Sequence, residues 1–162
     1  MKKHDTTVLG LGNLLMQDEG IGVHIANLLI KHYAFSPAIG IIDGGTTGTD
    51  LLPYFENSDR ILIIDAVNFE KYPGHIGIIE NDDILATITS KISLHHLGLS
   101  DVLSVIKLID IKPEEIILIG IQPYRMELGM DLSEQMQNHV PTIISTVLQK
   151  LEQWDISFHK TD

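Results

Sequence analysis

Three side chains that could bind a metal ion together stand where strands and helices are expected to meet: Glu19, Asp65 and His95. Glu19 follows the first apolar strand, Asp65 comes near the end of the apolar run 60–67, and His95 precedes a helix. Groups at the carboxyl ends of parallel strands converge in one crevice of an open α/β sheet. Two carboxylates and one imidazole are a common ligand set for a divalent transition metal, and they leave positions open for water or substrate. These three side chains are therefore candidates for one metal site, although neither the spacing nor the fold alone proves that they meet.

Each of these side chains also has a structural explanation. Glu19, like its neighbour Asp18, could serve only to cap or favour the start of a helix. Asp65 could accept backbone hydrogen bonds, although an acid that closes so apolar a strand is costly to bury unless something pairs with it. His95 and His96 are neighbours that cannot both point inward from one helix or strand. Their residue types do not say which of the two does.

Asp43 is a fourth candidate, because it ends the apolar stretch 39–43 just before Gly44 and Gly45. An acid at the carboxyl end of a strand is well placed to take part in chemistry there. It is equally well placed to order the glycine turn that follows. Both roles are open at this point.

Other enzyme chemistries find less support in the sequence. The chain has no cysteine, which excludes disulfides, thiolate metal sites and a cysteine nucleophile. It contains neither a G-x-S-x-G elbow nor an H-E-x-x-H helix. Gly10 and Gly12 could begin a dinucleotide fingerprint with Asp43 at the ribose, but Leu15 stands where the third glycine belongs. A nucleotide-dependent enzyme is therefore the weaker alternative, since acids at 18 and 19 would also repel a pyrophosphate.

Composition indicates one globular domain over residues 1–162. The chain is 44% hydrophobic and has no low-complexity tract, so it can bury a full core. A formal net charge of −11 argues against nucleic acid and anionic membranes as partners, because both attract clustered Lys and Arg. No apolar run approaches the roughly 20 residues that cross a bilayer, and the start has no signal-peptide pattern. We expect a cytoplasmic protein.

Alternating strands and helices predict an α/β fold with a mainly parallel, doubly wound sheet. The apolar runs predict about five strands, over 6–11, 39–43, 60–67, 75–80 and 115–121. The run 60–67 has no polar alternation, which is typical of a central strand covered on both faces. The run 75–80 is expected to form an antiparallel edge strand.

Helical periodicity predicts helices over 18–33, 50–55, 82–87, 97–109 and from near Asp131 onward. Asp131 and Glu134 are expected to form a capping-box pair at the start of the last helix. Pro141 is expected to kink or split that helix. His24 falls on the polar side of the first helix, so we expect a solvated surface histidine there.

Several short motifs follow one another along the chain: Gly10-Leu11-Gly12-Asn13, Asp18-Glu19-Gly20-Ile21-Gly22-Val23, Asp43-Gly44-Gly45-Thr46, Ile64-Asp65-Ala66-Val67 and a block over 95–103 that begins His95-His96-Leu97-Gly98. Their types and order resemble the [NiFe]-hydrogenase maturation endopeptidases over roughly 8–120. The resemblance implies a three-layer α/β/α sandwich. It also implies a partner, the precursor of the hydrogenase large subunit, from which such enzymes remove a C-terminal extension after nickel insertion.

The resemblance also assigns roles to individual residues. Glu19, Asp65 and His95 match the family's nickel ligands, and His96 matches a position that varies. Asp43 matches a position of functional importance, so Asp43, Glu19 and Asp65 are the expected catalytic residues. The implied nucleophile is a water molecule on the metal, which also polarises the scissile carbonyl. Whether nickel catalyses the cleavage or only anchors the substrate stays open. The nickel belongs to the substrate, and the alternative function is a nickel-dependent maturation checkpoint or metal-binding module that does not cut.

Overall fold

The computed structural model describes residues 4–89 and 97–161. The strands in this part of the chain are β1 (Thr6–Leu11), β2 (Tyr33–Ser36), β3 (Gly40–Gly45), β4 (Arg60–Ala66), β5 (Ile76–Glu80), β6 (Glu115–Ile121) and β7 (Ser157–Lys160). The α-helices are α1 (Ile21–His32), α2 (Leu52–Glu56), α3 (Asp82–Thr89), α4 (Leu97–Leu108) and α5 (Glu134–Gln153). Short 3-10 helices, η1 (Gln17–Gly20) and η2 (Thr49–Leu51), lead into α1 and α2.

A five-stranded sheet in the order β3-β1-β4-β6-β5 forms the centre of the molecule. β1 pairs in parallel with β3 and β4, and β4 pairs in parallel with β6. β5 lies at one edge and is antiparallel to β6. The predicted mainly parallel sheet with one antiparallel edge strand is therefore confirmed, and the carboxyl ends of four strands lie at one edge of it.

Helices cover both faces of this sheet, which gives the expected three layers. In β4, Leu62 and Ile64 are buried in the core beneath α1 and α5. Ile61 and Ile63 are buried in a second core beneath α2, α3 and α4. Because successive side chains of a strand point to opposite faces, a strand between two cores must be apolar at every position. This explains the uninterrupted apolar run.

A small second sheet was not predicted. β2 and β7 pair antiparallel, with Tyr33 opposite Lys160 and Phe35 opposite Phe158. The ring centroids of Tyr33 and Phe158 lie 5.9 Å apart, edge to face. The predicted first helix ran to Tyr33, whereas α1 ends at His32. Strands of four residues are too short to show a periodic pattern of apolar residues, and their partner lies at the other end of the sequence.

The last helix begins later than expected. Ser133 is the N-cap of α5, since its side-chain oxygen accepts a hydrogen bond from the backbone N of Met136 at 3.2 Å. The predicted capping box of Asp131 and Glu134 is therefore wrong. α5 continues past Pro141 to Gln153 without being split. No helix within residues 4–89 and 97–161 has the length and hydrophobicity that a membrane crossing requires.

Trp154, which directly follows α5, links the amino ends of β4 and β6. The indole Nε1 of Trp154 donates a hydrogen bond to Oε2 of Glu115 at 2.5 Å. Nη1 of Arg60 donates to the backbone oxygen of Trp154 at 3.3 Å. Arg60 begins β4 and Glu115 begins β6, so this cluster lies at the edge opposite to the strand ends that carry the predicted site.

Candidate active site

Glycines bring the segment after β1 against the carboxyl edge of the sheet. Gly12 has a φ of +144°, a conformation that side-chain-bearing residues rarely adopt. A Cβ at Gly12 would also lie 2.0 Å from the backbone oxygen of Glu19. The backbone N of Gly12 donates to the oxygen of Gly45 at 2.9 Å. The end of β1 therefore meets η1 through a close backbone approach that only glycine permits, and a backbone hydrogen bond joins it to the end of β3.

The first turn of α1 is held directly on the ends of β1 and β4. A Cβ at Gly22 would lie 2.0 Å from the backbone oxygen of Ile64 and 2.3 Å from that of Leu11. A Cβ at Gly10 would lie 2.3 Å from the oxygen of Gly22. This close approach explains the glycine spacing of both motifs, and it fixes η1 beside the end of β4.

Glu19 and Asp65 belong to these two adjoining elements. Glu19 is half-buried in η1, and none of the residues in 4–89 and 97–161 forms a hydrogen bond or ion pair with its carboxylate. Asp65 is the penultimate residue of β4 and is only 1% exposed. Its Oδ1 accepts a hydrogen bond from the backbone N of Ala66 at 2.8 Å. The elements that carry the first two predicted ligands thus adjoin at one edge of the sheet.

Asp43 occupies a different position at that edge. Its carboxylate is exposed, and its Oδ1 accepts a hydrogen bond from the backbone N of Gly45 at 3.1 Å. Asp43 and Ile64 are both register partners of Gly10, so their side chains project from the same face of the sheet. Asp65 follows Ile64 and therefore projects from the opposite face. A substrate that contacts both acids has to reach around the carboxyl edge of the sheet.

His95 and His96 lie outside the described residues. The first residues described after them, Leu97 and Gly98, begin α4. A Cβ at Gly48 would lie 2.9 Å from the Cα of Gly98, so the start of α4 packs against the turn that follows β3. The motif that carries the predicted histidine is therefore followed at once by a contact at the carboxyl edge.

Asp18 is a structural residue that sequence reasoning did not separate from Glu19. It is fully buried, and its Oδ2 accepts hydrogen bonds from the backbone N of Tyr124 at 3.0 Å and of Arg125 at 2.9 Å. Its Oδ2 also accepts from Oγ of Ser133 at 2.7 Å, and its Oδ1 accepts from the backbone N of Ser133 at 2.8 Å. Four donors compensate the loss of water around this carboxylate. All of them lie more than 100 residues away, so nothing local in the sequence signals them.

The prediction that His24 is a solvated surface residue is wrong. Its side chain is half-buried, and its Nε2 is buried with no hydrogen-bond partner among the described residues. Burial lowers the pKa of His24, while the charge of Asp131, a hydrogen bond to the backbone of Met130 and the charge of Asp18 oppose that effect. The segment 124–133 covers this side of α1, and its position follows from the distant contacts of Asp18.

Within residues 4–89 and 97–161, no three His, Asp or Glu side chains are grouped closely enough to hold a metal ion. The predicted set of Glu19, Asp65 and His95 includes a residue outside those ranges. A cavity of about 360 Å³ lies at the opposite edge, near the start of β6, and the charged residues around it include Lys107, Lys112 and Glu114. Neither Glu19 nor Asp65 lines that cavity.

The sequence matches a known family of proteins. Residues 23–150 match the model of a family described as hydrogenase maturation protease. The chain is 36% identical over 147 residues to the hydrogenase 2 maturation protease of Escherichia coli K12, and this alignment covers 90% of each chain. It is 35% identical over 152 residues to the hydrogenase expression/formation protein HupD of Rhizobium leguminosarum, covering 93% of this chain and 75% of HupD.

Solved structures show the same likeness. The hydrogenase maturating endopeptidase HybD from E. coli superposes with a TM-score of 0.91 at 34% identity, over 97% of this chain and 98% of HybD. A [NiFe] hydrogenase maturation protease from Thermococcus kodakarensis gives a TM-score of 0.74 at 28% identity, over 91% and 99% of the two chains. The resemblance seen in the motifs is thereby confirmed.

Proposed function

The chain belongs to the hydrogenase maturation proteases, and from this premise we propose that it removes the C-terminal extension of a [NiFe]-hydrogenase large-subunit precursor after nickel has been inserted. It is accordingly a hydrolase that acts in hydrogenase maturation. The observation that carries the proposal is the junction of η1 with the end of β4. There Glu19 and the buried Asp65 belong to adjoining elements.

In this proposal, the nickel is part of the substrate, and Glu19, Asp65 and His95 coordinate it. A carboxylate as deeply buried as that of Asp65 is stabilised by a cation beside it. Glu19 has no hydrogen-bond or salt-bridge partner among the described residues, which leaves its oxygens available as ligands. His95 is assigned by its motif alone. Three protein ligands leave further positions for groups of the precursor, so cleavage would depend on a loaded partner.

The reaction is the hydrolysis of one peptide bond. Nickel brought by the precursor would supply Lewis-acid chemistry, which polarises a scissile carbonyl and favours deprotonation of a nearby water molecule. The water oxygen bonds to the carbonyl carbon, the C–N bond breaks, and the departing nitrogen takes a proton. Asp43, with its exposed carboxylate beside the glycine turn, orients the water or the peptide. A chain without cysteine has no thiolate that could attack in place of water.

The test compares nickel-loaded and nickel-free precursor with three forms of the enzyme: wild type, Glu19→Gln and Asp65→Asn. Wild type should shorten only the loaded precursor, and both variants should lose at least about 100-fold in kcat/KM while their circular dichroism stays native. Glu152→Gln is the matched control, because Glu152 is exposed on α5 away from the strand ends. Its activity should be unchanged.

Other outcomes would change the proposal in defined ways. Equal cleavage of nickel-free precursor would rule out a role for the metal. Normal processing by Glu19→Gln would remove Glu19 from the site. Binding of loaded precursor without any shortened product would favour the alternative function, a nickel-dependent checkpoint that does not cut.

A further inference from the structure

Two neighbouring loops, the first over 12–16 and the second over 122–133, expose an unusual number of apolar side chains. The residues concerned are Leu15, Met126, Leu128 and Met130, which we call the loop surface. Leu128 is 85% exposed, the largest exposed fraction among the large apolar side chains in the part of the chain that the structure describes. Exposed apolar residues are ordinary when scattered singly, whereas a cluster of them often marks a site of protein contact.

Backbone hydrogen bonds join the two loops into one surface. The backbone N of Gln17 donates to the oxygen of Gly129 at 2.8 Å, and the N of Gly129 donates to the oxygen of Leu15 at 3.0 Å. Met16 and Gly129 form an isolated β-bridge. Because Gly129 stands between Leu128 and Met130, these contacts place Leu15 of the first loop beside that stretch of the second loop.

The buried carboxylate of Asp18 holds this surface in place. It accepts hydrogen bonds from the backbone N of Tyr124, Arg125 and Ser133, which bracket the second loop. Its own backbone N donates to the oxygen of Arg125 at 3.1 Å. A surface ordered before binding loses less conformational entropy when a partner arrives. The loop surface is thus prepared for contact by the same element that carries Glu19.

We propose that the loop surface is where the hydrogenase precursor docks, an inference that rests on the proposed function. The first loop continues directly into η1, so a folded protein whose tail reaches Glu19 comes close to the loop surface. The surface therefore adjoins the proposed site rather than being a distant patch.

Charge around the loop surface defines the chemistry of the partner. Glu127 and Asp131 are exposed in the second loop, where Arg125 is the single basic residue. The whole chain carries a net charge of −11. An apolar centre with a polar, acidic rim fits a protein face that has an apolar strip bordered by Lys or Arg. The precursor is expected to present such a face next to its cleavable tail.

The test measures KM and kcat for processing of the full-length, nickel-loaded precursor by Leu128→Ser. Leu108→Ser is the matched control, because Leu108 is 84% exposed at the end of α4 and lies outside the loop surface. Loss of a central apolar contact should raise KM about tenfold with kcat unchanged. The control should leave both constants at their wild-type values, and neither variant should change Tm.

An unchanged KM for Leu128→Ser, or an equal rise in KM for Leu108→Ser, would overturn the proposal. So would a wild-type dimer in sedimentation equilibrium that Leu128→Ser dissociates without any effect on KM, because the surface would then bind a second copy. If wild type shortens no precursor, the proposed function is wrong. The docking proposal is then tested by the affinity for the precursor alone. In that case, Kd for the precursor about tenfold weaker with Leu128→Ser supports docking, and equal Kd values refute it.

Discussion

Asp18 and Ser133 are joined by two hydrogen bonds across 115 positions of sequence: the backbone N of Ser133 donates to Oδ1 of Asp18 at 2.8 Å, and Oγ of Ser133 donates to Oδ2 at 2.7 Å. The same Oγ accepts a hydrogen bond from the backbone N of Met136 as the N-cap of α5. One carboxylate therefore links the start of η1, the second loop of the loop surface and the start of the longest helix described.

Asp18→Asn should lower the free energy of unfolding by about 2–4 kcal/mol. The amide nitrogen of Asn would face backbone N–H groups that now donate to a carboxylate oxygen, and the hydrogen bonds that remain would lose their charge. Urea denaturation followed by circular dichroism measures the change. A loss below about 0.5 kcal/mol, the scale of an ordinary surface substitution, would contradict the structural role of this carboxylate.

Ser133→Ala provides a matched comparison for Asp18→Asn. It removes the N-cap of α5 and one donor to Asp18, so we expect a loss of about 1–2 kcal/mol. Because the two side chains share a hydrogen bond, the losses should not add in the double variant. Additive losses would mean that Asp18 and Ser133 stabilise the fold independently.

Gly22→Ala should destabilise the protein by at least about 3 kcal/mol or prevent folding. The new methyl group would lie 2.0 Å from a backbone oxygen of β4, and backbone cannot move aside as a side chain can. Gly45→Ala is the control, since its Cβ would come no closer than 4.0 Å to another group and only the φ of +50° would be strained. That strain should cost about 1–2 kcal/mol, and equal losses for the two variants in urea denaturation would contradict the close packing of α1.

Asp43→Asn and Asp43→Ala together separate the two roles of this residue. Asn retains a side-chain oxygen that can accept the hydrogen bond from Gly45, whereas Ala removes both the acceptor and the charge. If the carboxylate orients water or peptide, both variants should lose at least about tenfold in kcat on the loaded precursor. Wild-type activity of Asp43→Asn with impaired Asp43→Ala would reduce the role of Asp43 to ordering the turn.

Acid should destabilise the protein partly through His24. Burial lowers the pKa of His24 from its usual 6.5 in the folded state. The unfolded chain therefore binds more protons as the pH falls through about 6.5, and the free energy of unfolding decreases. The nearby charges of Asp131 and Asp18 moderate this effect. Between about pH 7 and pH 5, Tm of wild type should fall more than Tm of His24→Gln.

The control for this pH dependence is His159→Gln, because His159 is exposed on β7. That variant should reproduce the wild-type change in Tm with pH. Identical pH profiles for His24→Gln and wild type would show that the half-buried imidazole does not contribute to acid destabilisation.

Features that depend on neighbouring residues were predictable from the sequence. The predicted strands 6–11 and 115–121 coincide with β1 and β6, because an uninterrupted apolar run is enough to define a strand between two cores. Gly12 and Gly22 lie in recognisable motifs because each position has no room for a side chain. The junction of η1 with the sheet edge followed from these local signals.

Features that depend on distant partners were not predictable. Asp18 and Glu19 are adjacent acids, and only hydrogen bonds from residues 124–133 distinguish the buried one from the half-buried one. The same segment turns the expected surface position of His24 into a covered one. Local periodicity carries no information about which loop folds over a helix.

Trp154 provides an optical consequence of this architecture. It is the only tryptophan of the chain, and it lies against the amino ends of β4 and β6. Five positions of extended strand separate Arg60 from Asp65, a distance of roughly 16 Å. The fluorescence of Trp154 should therefore report global unfolding but should not change when a precursor binds at the carboxyl edge. One fluorescence measurement can thus distinguish loss of the fold from loss of precursor recognition.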